Sequence, residues 1–326
     1  MHFAGSVSII ILTGESPEIT GREPGREGGI SMKWMKGIFL LLVANILIMV
    51  TLSLTVPVLI NVVLPMFGLD LRGMVDLTSL VWALAFGFGG AFISLAFSKQ
   101  MARAMLDCRQ IVQPRSQAEQ VIYGTVQDIA QRLHITMPEV WIYDSPDPNA
   151  FATGPSKNNS MVAVSTGLLS NLQEQEVRAV LAHEMGHVYN GDMFATTVLA
   201  GLMNTFVYYL AMWVRRFFGE RDQAALGFGL SIVIQIIVSI MASVLICWFS
   251  RHREFGADAF SAKVYGKDSM ISALRAIDRW VSRSQVEYST QDALATMKIS
   301  GNSSGFLRLF ATHPPMEARI EALERL

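Results

Sequence analysis

His183 and His187 stand four residues apart, with Glu184 directly after the first, in the run VLAHEMGHVYNGD. On an α-helix, positions i and i+4 share a face and lie about 6 Å apart along the axis, so both imidazoles can aim at one metal ion. Glu184, next around the helix, can reach a water bound to that ion. Catalytic zinc takes three protein ligands, keeps the fourth position for water, and lowers the pKa of that water to about 7. The HExxH pattern therefore supplies two ligands and a base, but lacks a third ligand. An HExxHxxGxxH extension would need histidine at 193, where this chain has Met193.

The best candidate for the missing ligand is Glu254, in SRHREFGAD. Asp258 follows four residues on, on the same helix face. A zinc-bound histidine usually hands its other N–H to a carboxylate, and Asp258 is placed for that task. An apolar hairpin starts just after Asp192 and ends just before Ser250. Both metal-bearing helices are thus expected to begin from the same patch of membrane surface.

That expectation comes from composition. The 326 residues are 51% hydrophobic and only 16% charged, whereas soluble domains carry roughly 25% charged residues. Four apolar stretches, near 37–60, 77–97, 194–214 and 226–249, reach the roughly 20 residues that cross hydrocarbon. None contains Asp, Glu, Lys, Arg or His, which argues against a transporter or proton relay. Lys33, Lys36, Lys99, Arg103, Arg109, Arg115, Arg251, Arg253 and Lys263 face Arg72, Arg215, Arg216 and Arg221 across those stretches. The positive-inside rule then makes the polar segments and both termini cytoplasmic. The net charge of -1 gives no reason to expect nucleic acid as a partner, and GFGG at 87–90 lies inside an apolar run, so it is helix packing and not a nucleotide-phosphate loop. Cys108 and Cys247 form no CxxC pair.

The expected organisation follows. Residues 1–31, rich in Gly, Pro, Glu and Arg, read as a disordered extension ahead of Met32. A first transmembrane hairpin occupies 32–98, and 99–193 form the first part of a cytoplasmic domain. A second hairpin spans 194–249, and 250–326 complete the domain. Within it, SQAEQVIYGTVQDIAQRLH opens with a capping box, Ser116 to Glu119, and continues with apolar residues at helical spacing. EVWIYD and SMVAVST read as two strands of a small sheet, with NAFATGPSKNN containing the turn between them. A helix begins near Gln173 and stops at Asn190-Gly191. HPPMEARIEALERL forms the last helix, and 281–305 are irregular. Asp192 is read as the cap of the third membrane helix, and Arg251 and Arg253 as anchors at the membrane interface.

With these residues in hand, the chain resembles the HtpX-type membrane zinc metalloproteases, part of a gluzincin group that includes the CAAX prenyl endopeptidases. The matching pieces are NAFATG (149–154), VAVSTGLL (162–169), AHEMGHVYNGDM (182–193), WFSRHREFGADA (248–259) and THPPMEARIEAL (312–323). The resemblance implies an α-helical integral membrane protein with four transmembrane helices and a mainly helical α+β gluzincin-like domain carrying a small β-sheet. It implies one zinc per subunit, held by His183, His187 and Glu254, with Glu184 as general base and Asp258 behind a zinc histidine. Implied too is endoproteolysis of misfolded or damaged membrane proteins at the cytoplasmic face of a bacterial inner membrane, as quality control in a stress response. The NAFA segment resembles the strand edge along which gluzincins lay out a peptide, which fits β-augmentation. Asn149 is a candidate for contacting substrate backbone, and His313 or Arg319 for steadying an oxyanion; the alternatives are a turn asparagine and a solvated helix start.

Two rivals stand beside this reading. An intramembrane protease would bury HExxH in a spanning helix, whereas here QEQEVR precedes it and NGD follows. A zinc-stabilised membrane scaffold or chaperone without turnover would have no use for Glu184.

Overall fold

The structure, a computed structural model, describes Val58 and residues 62–68, 76–219, 223–291 and 313–326. The N-terminal extension and nearly all of the first apolar stretch lie outside the described residues. After a helical turn at Leu64–Met66, the elements run α1 (Leu77–Ala96), α2 (Ser98–Leu106), β1 (Arg109–Gln110), α3 (Gln117–Arg132), β2 (Glu139–Tyr143), β3 (Ala150–Ser156) and β4 (Asn159–Ser165). They continue with α4 (Thr166–Asn171), α5 (Glu174–Asn190), α6 (Asp192–Gly219), α7 (Ala224–Tyr265), α8 (Lys267–Gln291) and α9 (Met316–Glu324). The chain divides into two compact units. One contains Ser94–Ala200 and Ile236–Leu326; the other contains the described residues up to Ile93 and Gly201–Gln235.

Three helices among the described residues, α1, α6 and α7, are long and apolar enough to cross a membrane. In α7 the residues Ile232, Val233, Ile236, Ile237, Ile240, Met241 and Leu245 are all exposed. A continuous apolar face of that size has hydrocarbon as its natural solvent. Within the smaller unit, Phe86 of α1 meets Tyr208 of α6 edge-on, and Arg216 pairs with Asp76 at 2.7 Å.

The larger unit is built around a four-stranded sheet in the order β1-β2-β4-β3. β4 pairs parallel to β2 and antiparallel to β3. Side chains alternate along each strand, and here both faces are covered. Val140, Val162 and Val164 face a core made with Ile122, Val126 and Ile129 of α3 and Val177, Leu181 and Met185 of α5. Tyr143, Phe151, Met161 and Ala163 face Ala102 of α2. Covered faces explain why these strands read as near-continuous apolar runs. Lys99 of α2 adds an ion pair to Glu139 at 2.6 Å, and the Arg103 guanidinium lies 4.5 Å from the Trp141 ring centre.

Several expectations need correction here. The stretch NAFATGPSKNN does hold a turn, at Lys157-Asn158, but most of it forms a further strand that was not expected there, the edge strand β3. Alanine, glycine and proline give it little strand propensity, and pairing with β4 overrides that. Residues 281–291 continue α8 as helix and are not irregular; 292–305 lie outside the described residues. Ser116 accepts from the Glu119 N–H at 3.2 Å, but the Glu119 carboxylate reaches the Arg115 N–H, one residue before the cap. At the start of α5, Glu176 accepts from the Gln173 N–H at 2.8 Å and from the Ser272 hydroxyl of α8 at 2.6 Å. That ties the central helix both to its own start and to its neighbour.

Candidate metal centre

α5 is apolar on most sides, with Val177, Val180, Leu181, Met185 and Val188 buried, so it runs through the middle of the unit. α7 crosses it closely. A Cβ on Gly186 would sit 3.3 Å from the Ala257 Cα and 3.2 Å from the Phe260 ring, tighter than side chains normally pack, so glycine lets the helices approach there. Gly186 lies between the two histidines, and the crossing brings Glu254 of α7 against both. The Ser261 hydroxyl donates to the Ala179 carbonyl at 2.7 Å and fixes the crossing further along.

The result is a compact cluster of donors. Nε2 of His183 and Nε2 of His187 are 3.2 Å apart. Glu254 straddles them, with Oε2 at 3.6 Å from His183 Nε2 and Oε1 at 3.4 Å from His187 Nε2. Tetrahedral zinc with bonds of about 2.0–2.1 Å separates its ligand atoms by about 3.3 Å. The opposite ring nitrogens are already engaged. His183 Nδ1 lies 2.9 Å from Asp258 Oδ1, and His187 Nδ1 lies 2.6 Å from Asp192 Oδ2. With the ring protons given to those carboxylates, two Nε2 lone pairs and a carboxylate converge on one point with no donor among them. Such a set calls for a cation, and the residues fit a zinc-type metal. Glu184 lies beside them, partly open to solvent.

In the metal-free chain, protons take the cation's place. Burial works against ionised Glu254, yet His187 and His313 hold it well below the carboxylate range. Burial also disfavours the Asp258 carboxylate, but Arg319 and His183 outweigh it and lower its pKa. Desolvation raises the Glu184 carboxyl, and the neighbouring imidazoles offset only part of that. For His187, burial disfavours the imidazolium, but Asp192 and Glu254 lift its pKa to about 10.

His183, His187, Glu254 and Asp258 are therefore brought together, and so are the two residues of the C-terminal segment. His313 Nδ1 lies 2.8 Å from Glu254 Oε2. Arg319 is buried, at 6% exposure, and grips Asp258 through Nε at 2.8 Å and Nη2 at 2.6 Å. The alternative of a solvated arginine is overturned, because α9 packs Arg319 inside, beside two carboxylates. Pro314 and Pro315 stand just before α9, with Pro315 at its N-cap. Asn149 lies directly before β3 with its backbone paired to β4: its N–H donates to the Ser165 hydroxyl at 2.9 Å, and its carbonyl accepts from the Ser165 N–H at 2.9 Å.

Two residues have partners the spacing did not indicate. Asp192 does begin α6, but its carboxylate is turned to His187. Arg253 is mostly buried, with 14% of its side chain exposed, and donates to the Asp192 carbonyl; it is not free at a membrane interface. The legible signal for Asp192 was a carboxylate five residues after a ligand histidine, directly past a glycine stop.

Comparison with known proteins agrees with this geometry. The model of the family described as Peptidase family M48 matches residues 116–326. A protease HtpX homolog of Methylacidiphilum infernorum is 42% identical over 301 residues, covering 89% of this chain and 99% of that protein. The protease HtpX of Tolumonas auensis is 45% identical over 302 residues, covering 90% and 100%. The crystal structure of S. mikatae Ste24p aligns with a TM-score of 0.57 at 18% identity, over 88% of this chain and 67% of that one, a likeness of fold. Together, the converging His-His-Glu set, the apolar helices and these relatives establish that the chain belongs to peptidase family M48 and is a membrane-bound metalloprotease.

Proposed function

We propose that the chain is a zinc endopeptidase that cuts misfolded or damaged membrane proteins at the cytoplasmic face of a bacterial inner membrane. The observation that carries the metal assignment is the set of 3.2, 3.4 and 3.6 Å separations among His183, His187 and Glu254. His183, His187 and Glu254 would hold one zinc, with Asp258 orienting His183. A zinc held there would supply Lewis acidity toward the scissile carbonyl and toward water.

This chain's own residues do the rest. Glu184 takes a proton from the attacking water as its oxygen joins the carbonyl carbon, then passes that proton to the amine nitrogen as the C–N bond breaks. A raised carboxyl pKa suits both halves of that task. Arg319 acts through Asp258, while His313, whose side chain is 45% exposed, has room to turn toward a developing oxyanion. Substrate backbone adds to β3. The Asn149 carbonyl pairs inward to Ser165, so by antiparallel alternation the groups of Ala150 and Ala152 point outward at the sheet edge. The positive-inside balance supports a cytoplasmic domain formed by 99–193 and 250–326.

The test is cleavage of a destabilised membrane protein in proteoliposomes by wild type and Glu184→Gln at equal zinc content. Cleavage within cytoplasmic loops by the wild type alone supports the reading. One bound zinc with no cleavage by either protein defeats it and brings forward the scaffold alternative.

A further inference from the structure

We propose that Asp192 is the positioning residue for His187, and that Arg253 holds Asp192 in place. The inference rests on the metal-site reading above and extends it to the second histidine. Zinc histidines are steered through the nitrogen that does not bind metal. His183 has Asp258 for this purpose, itself held by Arg319. His187 has an arrangement of the same logic built from different helices. Its Nδ1 lies 2.6 Å from Asp192 Oδ2, and Asp192 is 6% exposed.

The backbone makes this approach possible. α5 ends at Gly191, which adopts the left-handed conformation at φ 69°. α6 starts at the next residue, with the Ala195 N–H bonded to the Gly191 carbonyl. In an uninterrupted helix, position i+5 would be rotated about 140° away from His187. The left-handed step instead folds Asp192 back against the ring. Two donors secure the Asp192 carbonyl: the Thr196 hydroxyl at 2.9 Å and the Arg253 guanidinium. Arg253 also lies 3.9 Å from Asp192 Oδ1, and its guanidinium carbon is 5.2 Å from the centre of the Phe249 ring. Arg253 directly precedes Glu254. The start of α6 and the turn of α7 that carries Glu254 are thereby joined beside His187, and any shift between them changes the aim of that ring.

The experiment uses the full chain in detergent with zinc or cobalt as the probe. Asp192→Asn keeps the shape and removes the charge, Asp192→Ala removes both, and Arg253→Gln removes the clamp. Asp192→Asn is expected to weaken zinc binding, read by chelator competition, by roughly 10- to 100-fold. It should also alter the visible bands of the cobalt-loaded protein, and lower kcat with KM little changed. Arg253→Gln should act in the same direction, less strongly. His187→Ala is the control. If it loses zinc while Asp192→Asn binds zinc and cobalt as the wild type does, Asp192 is only structural and the inference is overturned. If His187→Ala itself retains wild-type zinc affinity, the metal site reading fails, and this inference with it.

Discussion

Arg319 meets Asp258 with two nitrogens of its guanidinium, 2.8 and 2.6 Å from the two carboxylate oxygens, although the residues are 61 positions apart in the chain. Asp258 is 2% exposed, so this is a buried, bidentate ion pair and not a surface contact. Removing one partner leaves a buried charge uncompensated. Arg319→Leu should therefore cost about 3–5 kcal/mol of stability. Arg319→Lys should recover only part of that, since an ammonium cannot make the fork. Denaturation of the metal-free protein measures this without involving turnover, and a loss below about 1 kcal/mol for Arg319→Leu would show that the pair adds nothing.

Gly191 offers a cleaner probe of the backbone. Its φ is +69°, yet nothing lies within 4 Å of where a Cβ would stand. Gly191→Ala should thus introduce conformational strain alone, about 1–2 kcal/mol. Because Asp192 follows directly, the variant should also bind zinc more weakly than its stability loss implies. Chelator competition beside a melting curve checks both, and unchanged zinc affinity would contradict the expectation.

Metal removal should make stability depend on pH in a particular direction. Burial opposes the His187 imidazolium, but Asp192 and Glu254 lift its folded pKa to about 10, above the ordinary 6.5. A folded pKa above the unfolded one stabilises the folded chain fully below pH 6.5, and that contribution is lost as pH rises through 10. The metal-free wild type should therefore lose more stability between pH 6.5 and 9.5 than metal-free His187→Gln. Zinc binds only the deprotonated ring, so the gain in melting temperature on adding zinc should grow over the same range. A gain that shrinks with pH would be the opposite result.

The edge strand carries the fourth prediction. If substrate adds beside β3, the outward N–H of Ala152 donates to it, and proline is tolerated at an edge position whose N–H is unpaired within the sheet. Ala152→Pro should lower kcat/KM for an unfolded protein by about tenfold, the worth of one hydrogen bond, with little change in melting temperature. The same substitution at Phe151, whose groups face β4, should instead destabilise the sheet. Equal activity for wild type and Ala152→Pro would remove β3 as the docking edge.

Much of the site was written in local spacing. A four-residue interval places His183 and His187 on one face of any helix, and the same interval relates Glu254 to Asp258, so both pairs follow from helical periodicity alone. Twenty-residue apolar runs bounded by charge mark spanning helices whatever lies around them, as α1, α6 and α7 show. The third ligand could be found because the intervening hairpin returns the chain to where it left. Tertiary structure decided what depends on residues meeting across the chain. NAFATGPS became a strand only through pairing with β4. Arg319 became a buried partner of Asp258 only because α9 packs against the α5–α7 crossing, and Arg253 was drawn from a basic flank onto the Asp192 carbonyl. Asp192 itself needed one left-handed residue to face His187. Periodicity is a property of neighbouring residues, whereas the orientation of a ligand ring is set by contacts between elements, and those exist only once the helices have crossed.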